Sequence, residues 1–444
     1  MNAEYKIIHG SVVAPLGFKA NGVFCDIKRI GTGKGSEKGQ KPDLALICSD
    51  EKCVTAGMFT TNQVCAAPVK LCIQRMKKGI ARAIVANSGN ANACTGEQGL
   101  KDAYEMAAET ARVLNIKDEE VLVASTGRIG VLMPMENVKK GIHLAAENLG
   151  SKVEDAEKAA VAIMTSDTRS KQIAIEFNLS DKTVRIGGMC KGAGMIHPGM
   201  SPNGKRPATI SGLHATMLCF LTTDAKIDRK SLQEALQEAV AQSFNRITVD
   251  GDMSTNDTVL ILANGRAGNT EIRSSKTGKA FKTFSEMLKV VCCELAKMIV
   301  RDGEGASRFV TIFLDGARNN IDADTAARAV ANSVLVKTSW CGGDPNWGRI
   351  MDALGYSKAK IVEEKVDIGY SNSEFPQILW AVKDGRPTDA MFADLCKIVG
   401  NKEFNIHIKL NSGKGSTVIY SSDLTEEYVD FNKGNVSDPT SLGG

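Results

Sequence analysis

One stretch constrains this chain more than any other. Lys191-Gly192-Ala193-Gly194-Met195-Ile196-His197-Pro198 is a glycine-rich turn, and His214-Ala215-Thr216-Met217-Leu218-Cys219-Phe220 follows it after a short detour. The chain must turn tightly on its glycines and then enter an apolar, β-prone run. A threonine heading such a run is ordinarily a strand residue. If it becomes a chain terminus, its own α-amine can serve as the base for its hydroxyl. The step Ala215-Thr216 therefore reads either as a buried strand start or as an N-terminal nucleophile, and the clusters around it weigh between the two.

At 444 residues the chain exceeds one ordinary core and fits two domains or one large layered α/β unit. Its 42 glycines against 11 prolines point to tight turns and close backbone approaches rather than disorder. A net charge of +4 with both signs interspersed leaves no footprint for a nucleic acid. No apolar run reaches the length of a membrane span, and Met1-Asn2-Ala3-Glu4-Tyr5-Lys6 carries no apolar signal core, so the expected compartment is the cytoplasm. The 12 cysteines are scattered, several inside apolar runs (Cys48, Cys292, Cys293), and read as reduced, buried thiols. Cys48 and Cys53 have no second pair, and His9, His143, His197, His214 and His407 are mostly far apart. No metal and no cofactor is expected.

Along the chain, residues 44–48, 55–59 and 83–86 are predicted strands. Residues 31–41 read as an exposed loop that lacks the Gly-Lys-Ser/Thr ending of a phosphate-binding loop. Residues 87–96 are almost all small and polar. They are predicted to leave the core strand and to present amides and hydroxyls at a strand-to-helix junction, as a capped turn or a functional loop. A helix follows over 99–114, then a buried strand over 121–124 that Ser125-Thr126-Gly127 is predicted to end. Backbone N–H groups and a threonine hydroxyl at such a turn can form an oxyanion hole.

Helices are predicted over 136–149 and 153–164, the second closed by the polar cluster Thr165-Ser166-Asp167-Thr168, and a hairpin over 171–179 and 183–190. Asp228 should cap a helix running to about Phe244. The polar cluster 250–258 begins like a calcium loop but has no Glu at the twelfth position. A long helix over 282–300 ends at Gly303-Glu304-Gly305, where the carboxylate either marks a helix stop or approaches a ligand's amine. Residues 341–349 are a further Gly/Pro-punctuated cluster. The last hundred residues should alternate strands (378–382, 404–410, 417–420) with a helix over 388–399. No internal repeat and no linker stands out, so any halves should pack tightly together.

Taken in order, these clusters resemble the ornithine acetyltransferase family, the glutamate N-acetyltransferases of arginine biosynthesis. The matching blocks are Gly57-Met58-Phe59-Thr60-Thr61-Asn62 with Ala66-Ala67-Pro68-Val69, residues 87–99, Ser125-Thr126-Gly127, residues 191–198, Ala215-Thr216-Met217-Leu218, residues 250–258 and residues 344–349. The resemblance implies a layered α/β sandwich with an N-terminal-nucleophile-like active site. It implies a precursor that cuts itself between Ala215 and Thr216 into an alpha fragment, 1–215, and a beta fragment, 216–444, which pair into a heterotetramer of two alpha and two beta fragments. Thr216 would take the acetyl group from N-acetylornithine and pass it to glutamate in a ping-pong reaction. By position, Thr126 and Gly127 match the oxyanion hole, and Thr165, Lys191, Thr216, Glu304, Asn432 and Ser437 match substrate contacts. Lys191 suits the substrate's α-carboxylate and Glu304 the cationic amine of ornithine.

Two departures from the family pattern stand out. Residues 199–213 intervene between the glycine-rich turn and the Ala-Thr step and contain a second one, Ala208-Thr209. Thr216 is the better match, because Met217-Leu218 and Thr222-Thr223-Asp224-Ala225 follow it as in the family. Near the end, Lys433-Gly434-Asn435-Val436 replaces the usual residues and 438–444 extend past Ser437. The alternatives are a bifunctional form that also accepts acetyl-CoA, an N-terminal-nucleophile amidase or aminopeptidase that releases its acyl group to water, and an uncleaved, non-catalytic homologue.

Overall fold

The computed structural model describes residues 4–28, 41–179, 181–205, 217–274 and 278–433. Before the glycine-rich turn lie β1 (Tyr5–Ile8), β2 (Phe18–Val23), β3 (Leu44–Phe59), α1 (Ala67–Arg75), β4 (Ile80–Asn90), α2 (Gly96–Leu114), β5 (Val121–Arg128), α3 (Met135–Glu147), α4 (Val153–Ala162), β6 (Lys171–Leu179) and β7 (Lys182–Lys191). After it come β8 (Leu218–Thr223), α5 (Arg229–Ala241), β9 (Ile247–Thr248), β10 (Thr258–Ala263), α6 (Lys279–Arg301), β11 (Phe309–Ala317), α7 (Asn320–Asn332), α8 (Val334–Cys341), α9 (Trp347–Gly355) and β12 (Asp367–Ser371). The chain continues through β13 (Leu379–Lys383), β14 (Arg386–Pro387), α10 (Phe392–Val399), β15 (Glu403–Lys409), β16 (Gly415–Ser422) and α11 (Glu426–Phe431). The molecule is layered α/β, as expected.

The two strands predicted over 44–48 and 55–59 are the ends of a single strand, β3, 16 residues long. Its first half pairs with β2 and β4, its last half with β10, and the register shifts between Cys48 and Cys53. Such an irregularity bends a strand, so β3 serves both arms of a nine-stranded sheet ordered β1-β6-β7-β8-β10-β3-β4-β5, with β2 beside β3. The sheet doubles over: β7 and β5 are far apart in that order, yet Lys191 Nζ and Thr126 Oγ1 lie 3.4 Å apart. Leu46 and Val85 of one arm share a core with Met189, Leu218, Phe220 and Leu260 of the other. The opposite face of the β8 arm, including Cys219, Leu221 and Ile261, packs against Leu236 and Val240 of α5 and Leu288 and Leu295 of α6.

A seven-stranded sheet, ordered β14-β13-β12-β15-β11-β16-β9, forms a second layer set with its own core around Ile312, Ile406, Ile419 and Trp340. The two sheets are interlocked, since β9 joins the second sheet while β8 and β10, on either side of it in sequence, belong to the first. Among the described helices none is long and apolar enough to cross a membrane.

Helix signals translated well. Asp228 caps α5 by accepting from the Ser231 amide, and the helix predicted over 282–300 is α6. The stretch 87–96 is a correction, because β4 runs on through Asn90 with Asn87, Ser88 and Asn90 fully buried. Polar side chains can occupy a buried strand when each finds a partner. Ser88 Oγ donates to Ala162 O at 2.6 Å, Asn87 Nδ2 to Asn90 O at 2.9 Å, and Asn90 Nδ2 to Val131 O and Leu132 O, both at 3.1 Å. Likewise Ser125, Thr126 and Gly127 lie within β5 rather than past its end.

Candidate active site

The site forms where the ends of β5, β7 and β8 meet the polar block before β10. β8 pairs antiparallel with β7 (Lys191 opposite Leu218) and parallel with β10 (Thr258 beside Leu218). Met217, the first described residue of this segment, is pinned on both sides of its peptide. Its amide donates to Asp257 Oδ1 at 2.6 Å, and its carbonyl accepts from the Thr258 amide at 3.1 Å. Asn256 Nδ2 donates to Ala91 O at 2.7 Å and Ser125 O at 2.8 Å, which ties this block to the ends of β4 and β5.

Thr126 is buried on β5, and Gly127 beside it has φ +128°. A Cβ at position 127 would lie 2.4 Å from the carbonyl carbon of Gly89, so only glycine lets β4 and β5 approach this closely. Lys191 is buried at the end of β7 with Nζ 3.4 Å from Thr126 Oγ1 and 4.0 Å from Asp167 Oδ2. Burial pulls its pKa below the ordinary lysine range, against the pull of Asp167, Glu304 and Asp257. Asp257 is fully buried, and that burial raises its carboxyl well above the ordinary range despite Met217 N–H and Lys191; among the described residues its Oδ2 has no hydrogen-bond partner.

Glu304 lies against the glycine-rich turn. Its amide donates to Ala193 O at 2.9 Å, and a Cβ at Gly194 would fall 2.4 Å from its carboxylate, so Gly194 makes the room that Glu304 occupies. Asn432, just past α11, donates from Nδ2 to Glu304 Oε2 at 3.1 Å. Asp250 shapes the turn, its carboxylate accepting from the amides of Met195 at 2.6 Å and Ile196 at 2.8 Å. Thr165 is exposed, with its amide on Asp167 Oδ2 at 3.0 Å.

The structure thus brings Thr126, Gly127, Lys191, Glu304, Asn432 and, through Asp167, Thr165 to one place. Ala215, Thr216, Ser437 and the second step Ala208-Thr209 lie outside the described residues. Sequence reasoning did not assign Asp257, Asp250 or Asn256, although all three stand in the cluster 250–258 that it singled out. Asp167 it placed in a polar cluster and gave no role. The signal that would have found them is a run of carboxylates and amides leading directly into an apolar strand, where few of them can point to water.

Together these features define a layered α/β protein with a charged site where strands from both sides of residue 216 converge. A family model described as the ArgJ family matches residues 20–435. The chain is 46% identical over 432 residues to the glutamate N-acetyltransferase of Methanocaldococcus jannaschii, covering 96% of this chain and 98% of that protein. It is 45% identical over 423 residues to the arginine biosynthesis bifunctional protein ArgJ of Symbiobacterium thermophilum, covering 95% and 98%. Among solved structures, the ornithine acetyltransferase of Mycobacterium tuberculosis, complexed with ornithine, is 36% identical. It matches 45% of this chain and 100% of its own with a TM-score of 0.40. The chain belongs to the ArgJ family.

Proposed function

We propose that this protein is a self-processing acetyltransferase that carries an acetyl group from N-acetylornithine to glutamate through an acetyl-threonine at Thr216. Membership of the ArgJ family makes it an acyltransferase of arginine biosynthesis. The observation that carries the finer reading is the convergence of Thr126, Lys191 and Glu304 on the start of β8, where Asp257 pins the residue that follows Thr216.

In this reading water hydrolyses the Ala215–Thr216 bond, leaving a carboxylate on Ala215 and a free α-amine on Thr216, whose reference pKa of about 7.7–8.0 suits a base near neutral pH. The Thr216 hydroxyl attacks the acetyl carbonyl and passes its proton to that amine. The Gly127 amide and the Thr126 hydroxyl donate to the oxyanion. Collapse of the tetrahedral intermediate expels ornithine, whose leaving nitrogen takes up the proton. Glutamate then enters, and its amine attacks the acetyl-threonine ester by the same steps in reverse. Lys191 pairs with the substrate carboxylate and Glu304, held by Asn432, with the side-chain amine of ornithine. Ladders from β8 to β7 and from β10 to β3 support fragments 1–215 and 216–444 remaining together after the cut. Relatives named as bifunctional and as glutamate N-acetyltransferase stand equally near, and an assay with acetyl-CoA as donor separates the two forms.

The test is intact mass under denaturing conditions with N-terminal sequencing. Two fragments, the second beginning Thr-Met-Leu-Cys, together with an uncut Thr216→Ala variant that transfers no acetyl group, are the expected result. A fragment beginning Thr-Ile-Ser-Gly moves the nucleophile to Thr209, and a single wild-type chain of 47.4 kDa overturns self-processing.

A further inference from the structure

The site residues are tied together by a group that the chemistry above does not use. Asp167 is buried and reaches four partners from different parts of the chain. Its Oδ1 accepts from Lys171 Nζ at 2.6 Å and from the Gly192 amide at 2.7 Å. Its Oδ2 accepts from the Thr165 amide at 3.0 Å and lies 4.0 Å from Lys191 Nζ. Lys171, also buried, bonds in addition to Asp302, which follows α6 and stands two residues before Glu304. Asp302 in turn accepts from the Thr168 amide at 3.1 Å and from its hydroxyl. Two carboxylates thus face two lysines in one cluster, with Arg169 Nε also 3.9 Å from Asp302 Oδ1, and paired ions of this kind are tolerated in a buried place. Its members come from the segment after α4, from β6, from the end of β7 and from the end of α6, so the cluster sets the positions of Thr165, Lys191 and Glu304 relative to one another.

We propose that Asp167 is a positioning residue for acetyl transfer: it locks Thr165, the glycine-rich turn and Lys191 into one arrangement and keeps the Lys191 ammonium charged for a substrate carboxylate. The proposal rests on the reading of Lys191 as a substrate contact. The charged groups facing Lys191 are Asp167 after α4, Lys171 on β6, Asp257 before β10, Glu304 after α6 and Lys28 after β2, and Asp167 is the carboxylate that most strongly favours the charged form. Burial alone works the other way.

The experiment uses full-length protein carrying 13C-labelled lysine side chains, with the Lys191 signal assigned by its absence from Lys191→Met. In Asp167→Asn the titration midpoint of Lys191 should fall by about one pH unit or more, the size expected for losing an adjacent opposite charge. In the paired variant Lys171→Met/Asp302→Asn, which removes a like charge from beside Lys191 and leaves Asp167 in place, the midpoint should rise. Opposite signs are a signature that general structural damage does not produce. With N-acetylornithine as donor, Asp167→Asn should raise KM about tenfold or more with a smaller change in kcat, and should move the alkaline limb of kcat/KM to lower pH. A Lys191 midpoint unmoved in Asp167→Asn, or displaced the same way in both variants, overturns the proposal. If Asp167→Asn does not fold, the paired variant decides, since a midpoint that stays or falls there is equally fatal. A wild-type protein that transfers no acetyl group sinks the substrate reading alone, because the titration midpoints still decide the role of Asp167.

Discussion

The nine-stranded and seven-stranded sheets bury their polar groups for different ends. In the seven-stranded sheet β15 and β16 alternate, placing Phe404, Ile406, Ile408 and Ile419 inward with more exposed residues between them. Several polar side chains there cap helices, as Asn319, Ser333 and Asn346 do by accepting from a backbone amide, while strand residues such as Ser371, Ser421 and Ser422 are buried as well. In the nine-stranded sheet polar residues sit inside strands. Asn87, Ser88, Asn90, Ser125, Thr126 and Lys191 are all buried, and several find their partners far away in sequence, as Ser88 does at Ala162. The first pattern is what stability alone requires. The second concentrates charge and donors where several strand ends meet, which costs desolvation and is worth keeping only for chemistry.

That contrast can be broken or sharpened by experiment. Trp340→Ala empties a fully enclosed site in the seven-stranded core and should cost about 3–5 kcal/mol in urea unfolding while leaving kcat of the folded enzyme unchanged. A matching loss of kcat would show that the second sheet is no mere buttress. Thr126→Val should do the reverse, lowering kcat about 10²–10³-fold with little change in unfolding midpoint. A stability loss with unaltered kcat would return Thr126 to the role of a strand residue.

The two regions should also part in their pH dependence. Lys171, Lys191 and the amides of Gly192 and Thr165 outweigh burial and hold the Asp167 carboxyl down at about 2. Its folded pKa lies below the unfolded one, so its contribution of about 2 kcal/mol is complete above about pH 4 and lost as pH falls toward 2. Among the described residues Lys337, behind β16, donates to Ser421 Oγ and Ser422 O and places its ammonium over the Trp340 ring, and burial brings it down to about 8. Its charged form is the disfavoured one in the folded state, so stability should rise as pH climbs from about 8 toward 10. Urea midpoints across pH, with Asp167→Asn and Lys337→Met as controls, check both signs; a variant that keeps the wild-type slope contradicts its half. The smallest effect should come from Asn346→Ala, about 1 kcal/mol for a lost helix cap with no kinetic change.

Much of this was legible in the residues themselves. The Asp228 cap, the long amphipathic α6 and the run of clusters that resembles one family all depend on local patterns, and local patterns survive folding. What escaped were features set by distant partners. Nothing within reach of residues 87–90 announces that Ala162 and Leu132 will satisfy their side chains, so small polar residues read as a turn. Asp167 and Lys171 are four apart and look like loop and strand start; Asp302, which completes their cluster, is more than a hundred residues away. The two halves of β3 read as separate strands because the residues between them, Ser49 to Lys52, are polar and lie where the strand bends.

β8 is 6 residues long and is paired over its full length on both edges. Chain ends are normally the first places to exchange amide hydrogen and the first to be trimmed by proteases. A terminus made just ahead of β8 would be the opposite case, a free end opening directly into one of the slowest-exchanging ladders of the molecule. Two polypeptides joined in this way would melt in a single calorimetric transition, and a cut there would change the number of chains without changing the number of cooperative bodies.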